Sequence, residues 1–192
     1  MARAGLSPTA VVDHALDLID AQGAETLTLA AVAAKAGVAT PSLYKHVPGG
    51  LAELRRLVAV RTLDDLTDHL AAAVLGHSRD EAVAALLAAY AGYATRFPRR
   101  YAALPQAPEP DPELMAAGER LVNVLFAVLR GYGLEGSEAV HAARTLRAMA
   151  HGYASLTTAG AFQLAEGPDV TLERLTGVLV DGLGHWPGGR GA

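Results

Sequence analysis

Thr40, Pro41, Ser42, Tyr44, Lys45 and His46 lie side by side in a stretch that contains no acidic residue. The chemistry open to such a set is contact with a polyanion that carries readable edges. Thr40 and Ser42 can donate to or accept from base edges, and Pro41 can meet a thymine methyl. Tyr44, Lys45 and, further upstream, Thr28 suit phosphate oxygens. Lys35 and Lys45 are the only lysines in the chain, and both fall in this neighbourhood. A surface helix with a purely structural task is normally rich in Glu and Lys, and this one is not.

These side chains read DNA only if a rigid scaffold presents them. Ser7 followed by Pro8 is a cap-then-proline start signal for a first helix. Val11 or Val12, Ala15, Leu18, Ile19 and Gln22 follow at helical spacing, with Asp13, Asp17 and Asp20 on other faces. Gly23 is placed to end that helix in a left-handed cap. Thr28 can cap a second helix, whose inner face is Val32, Ala33 and Ala36. Gly37 stands where the turn needs a backbone angle that costs other residues energy. Thr40 and Pro41 repeat the start signal, so a third helix runs from about Pro41 to His46, with Val38, Leu43 and Val47 inward. Residues 28 to 47 thus outline a helix-turn-helix, whose second helix lies in the major groove. Pro48-Gly49-Gly50 breaks the chain before a long helix from Leu51 to about Val74.

Composition bounds the rest. The chain has 192 residues, 51% hydrophobic and 19% charged, which supplies a buried core and excludes wholesale disorder. It has no cysteine, so disulfides and thiolate metal sites are excluded and a reducing cytoplasm is expected. No charged segment precedes an apolar run at the start, and no apolar run reaches membrane-spanning length. The net charge of -4 is not a nucleic-acid footprint for the whole chain. Residues 1 to 61 are close to neutral, with Arg3, Lys35, Lys45, Arg55, Arg56 and Arg61 against Asp13, Asp17, Asp20, Glu25 and Glu53. Few phosphate contacts and weak non-specific binding are expected. Further helices are predicted at roughly 79 to 96, 112 to 131, 137 to 163 and 170 to 184, with a proline-rich loop over 104 to 112. No strand-period segment is present.

Thr28-Leu-Ala-Ala-Val-Ala, Ala36-Gly37-Val38 and Ser42-Leu43-Tyr44-Lys45-His46-Val47 resemble the DNA-binding signature of the TetR family of transcriptional regulators. The resemblance implies an all-α chain: an N-terminal three-helix DNA-binding domain with its helix-turn-helix over 1–50, then a C-terminal helical bundle for ligand binding and dimerisation over 51–186. A disordered tail is expected over 187–192. It further implies a homodimer on a near-palindromic double-stranded operator, released by a small molecule, with Thr40, Pro41, Ser42, Tyr44, Lys45 and His46 at the DNA. One departure is clear. The family usually has a phosphate-contacting lysine where this chain has Gly50, and Arg55 or Arg56 could take over that contact. His151-Gly152 is similar to part of a Trp-His-Gly signature of one subgroup, without the tryptophan.

Two half-sites one turn of DNA apart require a two-fold interface. Ala142, Ala143, Leu146, Ala150, Tyr153, Ala154 and Thr157, with Leu172, Leu175, Leu179, Gly182 and Leu183, form stripes that could close a four-helix bundle between subunits. The same stripes could equally pack within one subunit. Tyr90, Tyr93, Phe97, Tyr101, Leu104, Met115, Phe126, Met149, His151, Tyr153 and Thr157 are candidates to line a pocket for a largely apolar ligand. Aromatic residues at helical spacing serve a core just as well.

No catalytic residue, cofactor or metal site is expected. His141 and His151 are ten apart, His69 and His77 eight apart, and no His-Glu-x-x-His pair occurs. The serines lack a nucleophile-elbow context. Arg96, Arg99 and Arg100 read as a solvated basic cluster. The alternative to a DNA-binding regulator is a helical dimer that senses or binds protein without DNA, which near-neutral charge and Gly50 would favour.

Overall fold

Ser7 accepts a hydrogen bond from the Ala10 amide at 3.1 Å and Pro8 follows it, which starts the first helix, α1 (Pro8–Gln22). Its buried face is Val11, Val12, Ala15, Leu16 and Ile19; Leu16 joins the expected set, whereas Gln22 is exposed. Gly23 ends α1 at φ 96 and ψ 157, a positive but extended conformation rather than the expected left-handed cap. Thr28 caps α2 (Leu29–Ala36) through the Ala31 amide at 3.1 Å. Gly37, at φ 68 and ψ 33, closes α2 in a left-handed reversal, with its own amide on the Ala34 carbonyl and that of Val38 on Ala33.

The third helical segment spans Thr40–Lys45 and is a 3₁₀ turn rather than an α-helix. Its cap is Ala39, not Thr40, and no side chain caps it. Six residues with Pro41 in the first turn leave room for few i to i+4 bonds, and the tighter ladder is used in such short pieces. Leu43 and Val47 are fully buried against Val11, Ile19, Leu27, Val32 and Leu54.

Gly50–Val74 forms the linking helix α3, and Arg79–Arg96 forms α4. A short helix α5 (Pro98–Ala102), unforeseen in the sequence, precedes α6 (Pro112–Arg130). Then come α7 (Gly136–Thr158) and α8 (Pro168–Gly184). The expected helix to 163 stops at Thr158, where Gly160 donates to the Thr157 carbonyl and Ala161 to that of Leu156. The structure, a computed structural model, describes residues 6–105 and 110–187; the tail from 188 and residues 106–109 of the proline-rich loop lie outside it. Among the described residues there is no strand, and no helix is long and apolar enough to cross a membrane.

The chain divides into two compact units. One comprises the chain to Leu63 together with Phe97–Ala117; the other comprises Asp64–Arg96 and the chain from Gly118. The boundary between the two units falls inside α3, between Leu63 and Asp64. In the second unit α4 packs against α7 and α8, burying Ala82, Val83, Leu86, Leu87, Tyr90, Tyr93 and Ala94. Ala142, Ala143, Leu146, Ala150, Tyr153 and Ala154 of α7, and Leu179 and Leu183 of α8, are buried within this one chain. The α7 stripe read as a dimer face is therefore core up to Ala154, whereas Thr157, Leu172 and Leu175 are half-buried and Gly182 is exposed. The large apolar side chains of α7 and α8 left exposed are Val140, Leu156, Val170 and Val178.

Candidate nucleic-acid interface

Leu43 and Val47 act as pegs that fix the turn between them on the core. With those two inward, Pro41, Tyr44 and Lys45 are exposed, and Thr40, Ser42 and His46 are half-buried at the surface. Backbone hydrogen bonds brace the turn: the Ser42 amide donates to the Ala39 carbonyl at 2.9 Å, and the His46 amide to that of Leu43 at 2.8 Å. Thr28 is exposed at the start of α2. Its hydroxyl oxygen accepts from Ala31, which leaves the hydroxyl proton to donate outward, at the positive end of a helix dipole.

Gly50 is buried at φ +70. A Cβ placed there would stand 3.7 Å from Tyr44 Cε1 and 3.9 Å from Leu29 Cδ1. The start of α2, the Tyr44 ring and the start of α3 therefore meet at one point. The backbone angle, not crowding, is what favours glycine here over the lysine of the resemblance. The Gly49 amide beside it donates to Glu53 Oε2 at 2.6 Å, so a carboxylate of the first turn satisfies the amide just before α3.

Several cations of this unit are engaged internally. Lys35 pairs with Asp17 at 3.2 Å. Arg56 pairs with Glu113 at 2.5 Å and reaches Asp111 at 3.5 Å, so its guanidinium is engaged within the unit. The hydrogen bond to Glu113 holds the Arg56 guanidinium above its ordinary pKa. Backbone donation from Leu114 holds Asp111 below the usual carboxylate range, with Arg56 adding to it. Arg99 and Arg100, expected to be solvated, bind the end of α1: Arg100 forks onto the Asp20 carboxylate, and Arg99 donates to the Asp20 and Ala21 carbonyls. Lys45 and Arg55 are exposed.

The aromatic set read as a ligand pocket is divided. Phe97, Tyr101 and Met115 belong to the first unit, where Tyr101 is buried and Met115 is exposed. Tyr90, Tyr93, Phe126, Met149, His151, Tyr153 and Thr157 belong to the second. There Tyr153 donates to the Pro168 carbonyl at 2.9 Å and lies 5.7 Å from the Phe162 ring, and Thr157 donates to the Tyr153 carbonyl at 2.8 Å. Tyr93 lies 5.9 Å from His69, a neighbour that the pocket list missed. Among the described residues no cluster of His, Asp and Glu has metal-binding geometry.

His151 stands 3.3 Å from the Ser155 hydroxyl. Burial, reinforced by Arg147, pushes its imidazole below the ordinary value. A depressed histidine gives stability that is complete above about pH 6.5 and is lost as pH falls through the folded-state pKa. His151→Gln is accordingly expected to flatten the fall in melting temperature between about pH 7 and pH 5. Thermal melts across that range check it; an unaltered slope would show that His151 does not carry the effect.

Residues 11–48 match the profile described as bacterial regulatory proteins, tetR family, and residues 83–179 match a tetracyclin repressor-like C-terminal domain. An uncharacterised HTH-type transcriptional regulator of Mycobacterium tuberculosis is 38% identical over 82% of this chain and 72% of its own length. A second uncharacterised HTH-type regulator, from Bacillus subtilis, is 35% identical over 85% of each. A solved structure of unknown function from a Rhodococcus species superposes with a TM-score of 0.82 at 21% identity, covering 94% of this chain and 96% of that one. A TetR variant of Acinetobacter baumannii, crystallised with minocycline, gives 0.69 at 17% identity, covering 93% and 96%.

Proposed function

The chain belongs to the TetR family and is a DNA-binding transcriptional regulator, not an enzyme, and from that premise we propose that it is a homodimeric repressor released from a near-palindromic operator by a small, largely apolar ligand. The observation that carries the DNA half is the acid-free surface of Thr40–Lys45, pegged by Leu43 and Val47 and set between Thr28 and Gly50. Thr40, Pro41, Ser42 and His46 would face base edges, and Thr28, Tyr44 and Lys45 the phosphates. Near-neutral charge over residues 1–61 would favour a sensing dimer without DNA, but with Lys35 and Arg56 paired inside the fold, Lys45 and Arg55 remain exposed to meet phosphates. Acting on DNA, the protein would work in the cytoplasm.

The dimer would form through the outer faces of α7 and α8, where Val140, Leu156, Val170 and Val178 lie exposed beside Gly177 and Gly182. Val178→Asp is expected to give a folded monomer in sedimentation, because Val178 is 64% exposed in the single chain. A variant that remains dimeric would place the interface elsewhere.

Tyr90, Tyr93, Phe126, Met149, His151, Tyr153 and Thr157 remain the residues on which ligand binding is proposed. Release would be a population shift, in which ligand favours a state whose two heads no longer match the operator spacing. A panel of apolar aromatic compounds, screened by thermal shift, tests this. Compounds that stabilise the protein should weaken operator binding; stabilisation with operator affinity untouched would contradict release.

A further inference from the structure

Gly49 and Gly50 are glycines for different reasons. Gly50 is held at φ +70, whereas Gly49 lies outside the positive-φ region. At Gly49 the reason is room: a Cβ there would stand 3.0 Å from Glu53 Cβ and 3.1 Å from Glu53 Oε2. The missing side chain lets the Glu53 carboxylate lie on the Gly49 amide, which donates to it at 2.6 Å. Among the described residues that amide is its one partner, and no cation meets it. Asp17, Asp20, Asp111 and Glu113 of the same unit are, by contrast, each paired with a lysine or an arginine. The carboxylate also stands beside the candidate interface. Gly49 is exposed, and a Cβ on the adjoining Gly50 would be 3.7 Å from the Tyr44 ring and 3.9 Å from Leu29, the residue after Thr28.

We propose that Glu53 limits the affinity of this interface for DNA: its unpaired carboxylate, fixed beside Tyr44, opposes the phosphates that Thr28, Tyr44 and Lys45 meet. The inference rests on the DNA-binding reading. A phosphate about 6 Å from such a charge loses roughly threefold in affinity, and the two half-sites of a dimer together roughly tenfold. Phosphates carry no sequence information, so the loss falls on every duplex alike. Non-specific binding consists almost wholly of phosphate contacts. The charge therefore keeps the protein from accumulating on unrelated DNA and leaves recognition to the base-facing residues of the turn. Glu53 also satisfies the amide before α3, and the two roles have opposite signs. Loss of the cap alone would loosen the reading head and weaken binding; loss of the charge strengthens it.

The test compares full-length wild type, Glu53→Gln, Glu53→Ala and Glu119→Gln on an operator selected from random duplexes and on a scrambled duplex of the same length. Gln can still accept from the Gly49 amide, so Glu53→Gln removes the charge and keeps the cap. It is expected to bind both duplexes about tenfold more tightly at low salt with its melting temperature unchanged, the gain shrinking as salt rises. Glu53→Ala removes cap and charge together; it should melt lower and still bind more tightly than wild type. Glu119, exposed in the second unit, controls for net charge, and its Gln variant should bind as the parent does. Both Glu53 variants binding no more tightly than wild type would overturn the proposal, leaving a helix cap alone. An equal gain from Glu119→Gln, or a gain confined to the operator, would overturn it too. Wild type and variants that bind neither duplex would overturn the functional reading with it, an outcome distinct from wild type that binds and variants that gain nothing.

Discussion

Replacing Tyr44 and Lys45 together by Ala is expected to lower operator affinity by roughly a hundredfold or more and leave a folded dimer. Neither side chain belongs to the core. Tyr44 is 51% exposed, its ring edge beside Gly50, and Lys45 points to solvent. The fold should therefore be indifferent to their loss. Hydrogen bonds to a charged phosphate contribute about 1.5–3 kcal/mol each, so two of them amount to at least about a hundredfold. Loss of Lys45 from both subunits should also reduce the dependence of log affinity on log salt by about 1.8, the signature of one phosphate contact per half-site. Fluorescence anisotropy over a salt series measures both effects. A double variant that binds as the parent does would remove these residues from the interface.

The largest expected effect on stability is at Leu43. Its side chain is fully buried in the small core of the first unit, with Val11, Ile19, Val32, Val47 and Leu54. Leu43→Ala removes that packing and leaves a cavity, a change that costs about 2–5 kcal/mol in comparable cores. Whole domains are stable by only about 5–15 kcal/mol, so the reading head should melt well before the parent does. Leu43→Met nearly conserves volume and should cost less than about 1.5 kcal/mol. Thermal denaturation of the three proteins separates packing from DNA contact, since Leu43 faces away from the proposed interface. Equal melting temperatures for the Ala variant and the parent would show that Leu43 is not the peg of the turn.

Local features were the legible ones. Ser7, Thr28 and Gly37 act within three or four residues of themselves, and each does in the structure what its type predicts. Leu43 and Val47 were readable because only one face of a short helical segment can meet the core. The 3₁₀ form of Thr40–Lys45 was not readable, because side-chain spacing over six residues hardly differs between the two helix types. Helix α5 is too short to show a period at all. The Arg100–Asp20 fork joins residues 80 apart, and nothing in the neighbourhood of either announces the other. Lys35, which shares the neighbourhood of Lys45 in sequence, is likewise engaged by a residue outside the helix-turn-helix, Asp17 of α1. The stripe from Ala142 to Thr157 shows the deeper limit. Periodicity marks a face as apolar, and both α4 of the same chain and a second subunit could cover it. Here α4 does, and the candidate dimer face moves to Val140, Leu156, Val170 and Val178. Aromatic residues proposed for a ligand shared that ambiguity, since Tyr90, Tyr93 and Tyr153 are buried as core residues would be.

The central claim is that this surface reads a specific DNA sequence as a dimer, and selection from random DNA duplexes at modest salt tests it most directly. Protein refolded free of small molecules should enrich a palindromic motif whose half-sites lie one helical turn apart, about 34–36 Å. Absence of any enriched motif, from protein shown to be a folded dimer, would contradict the account.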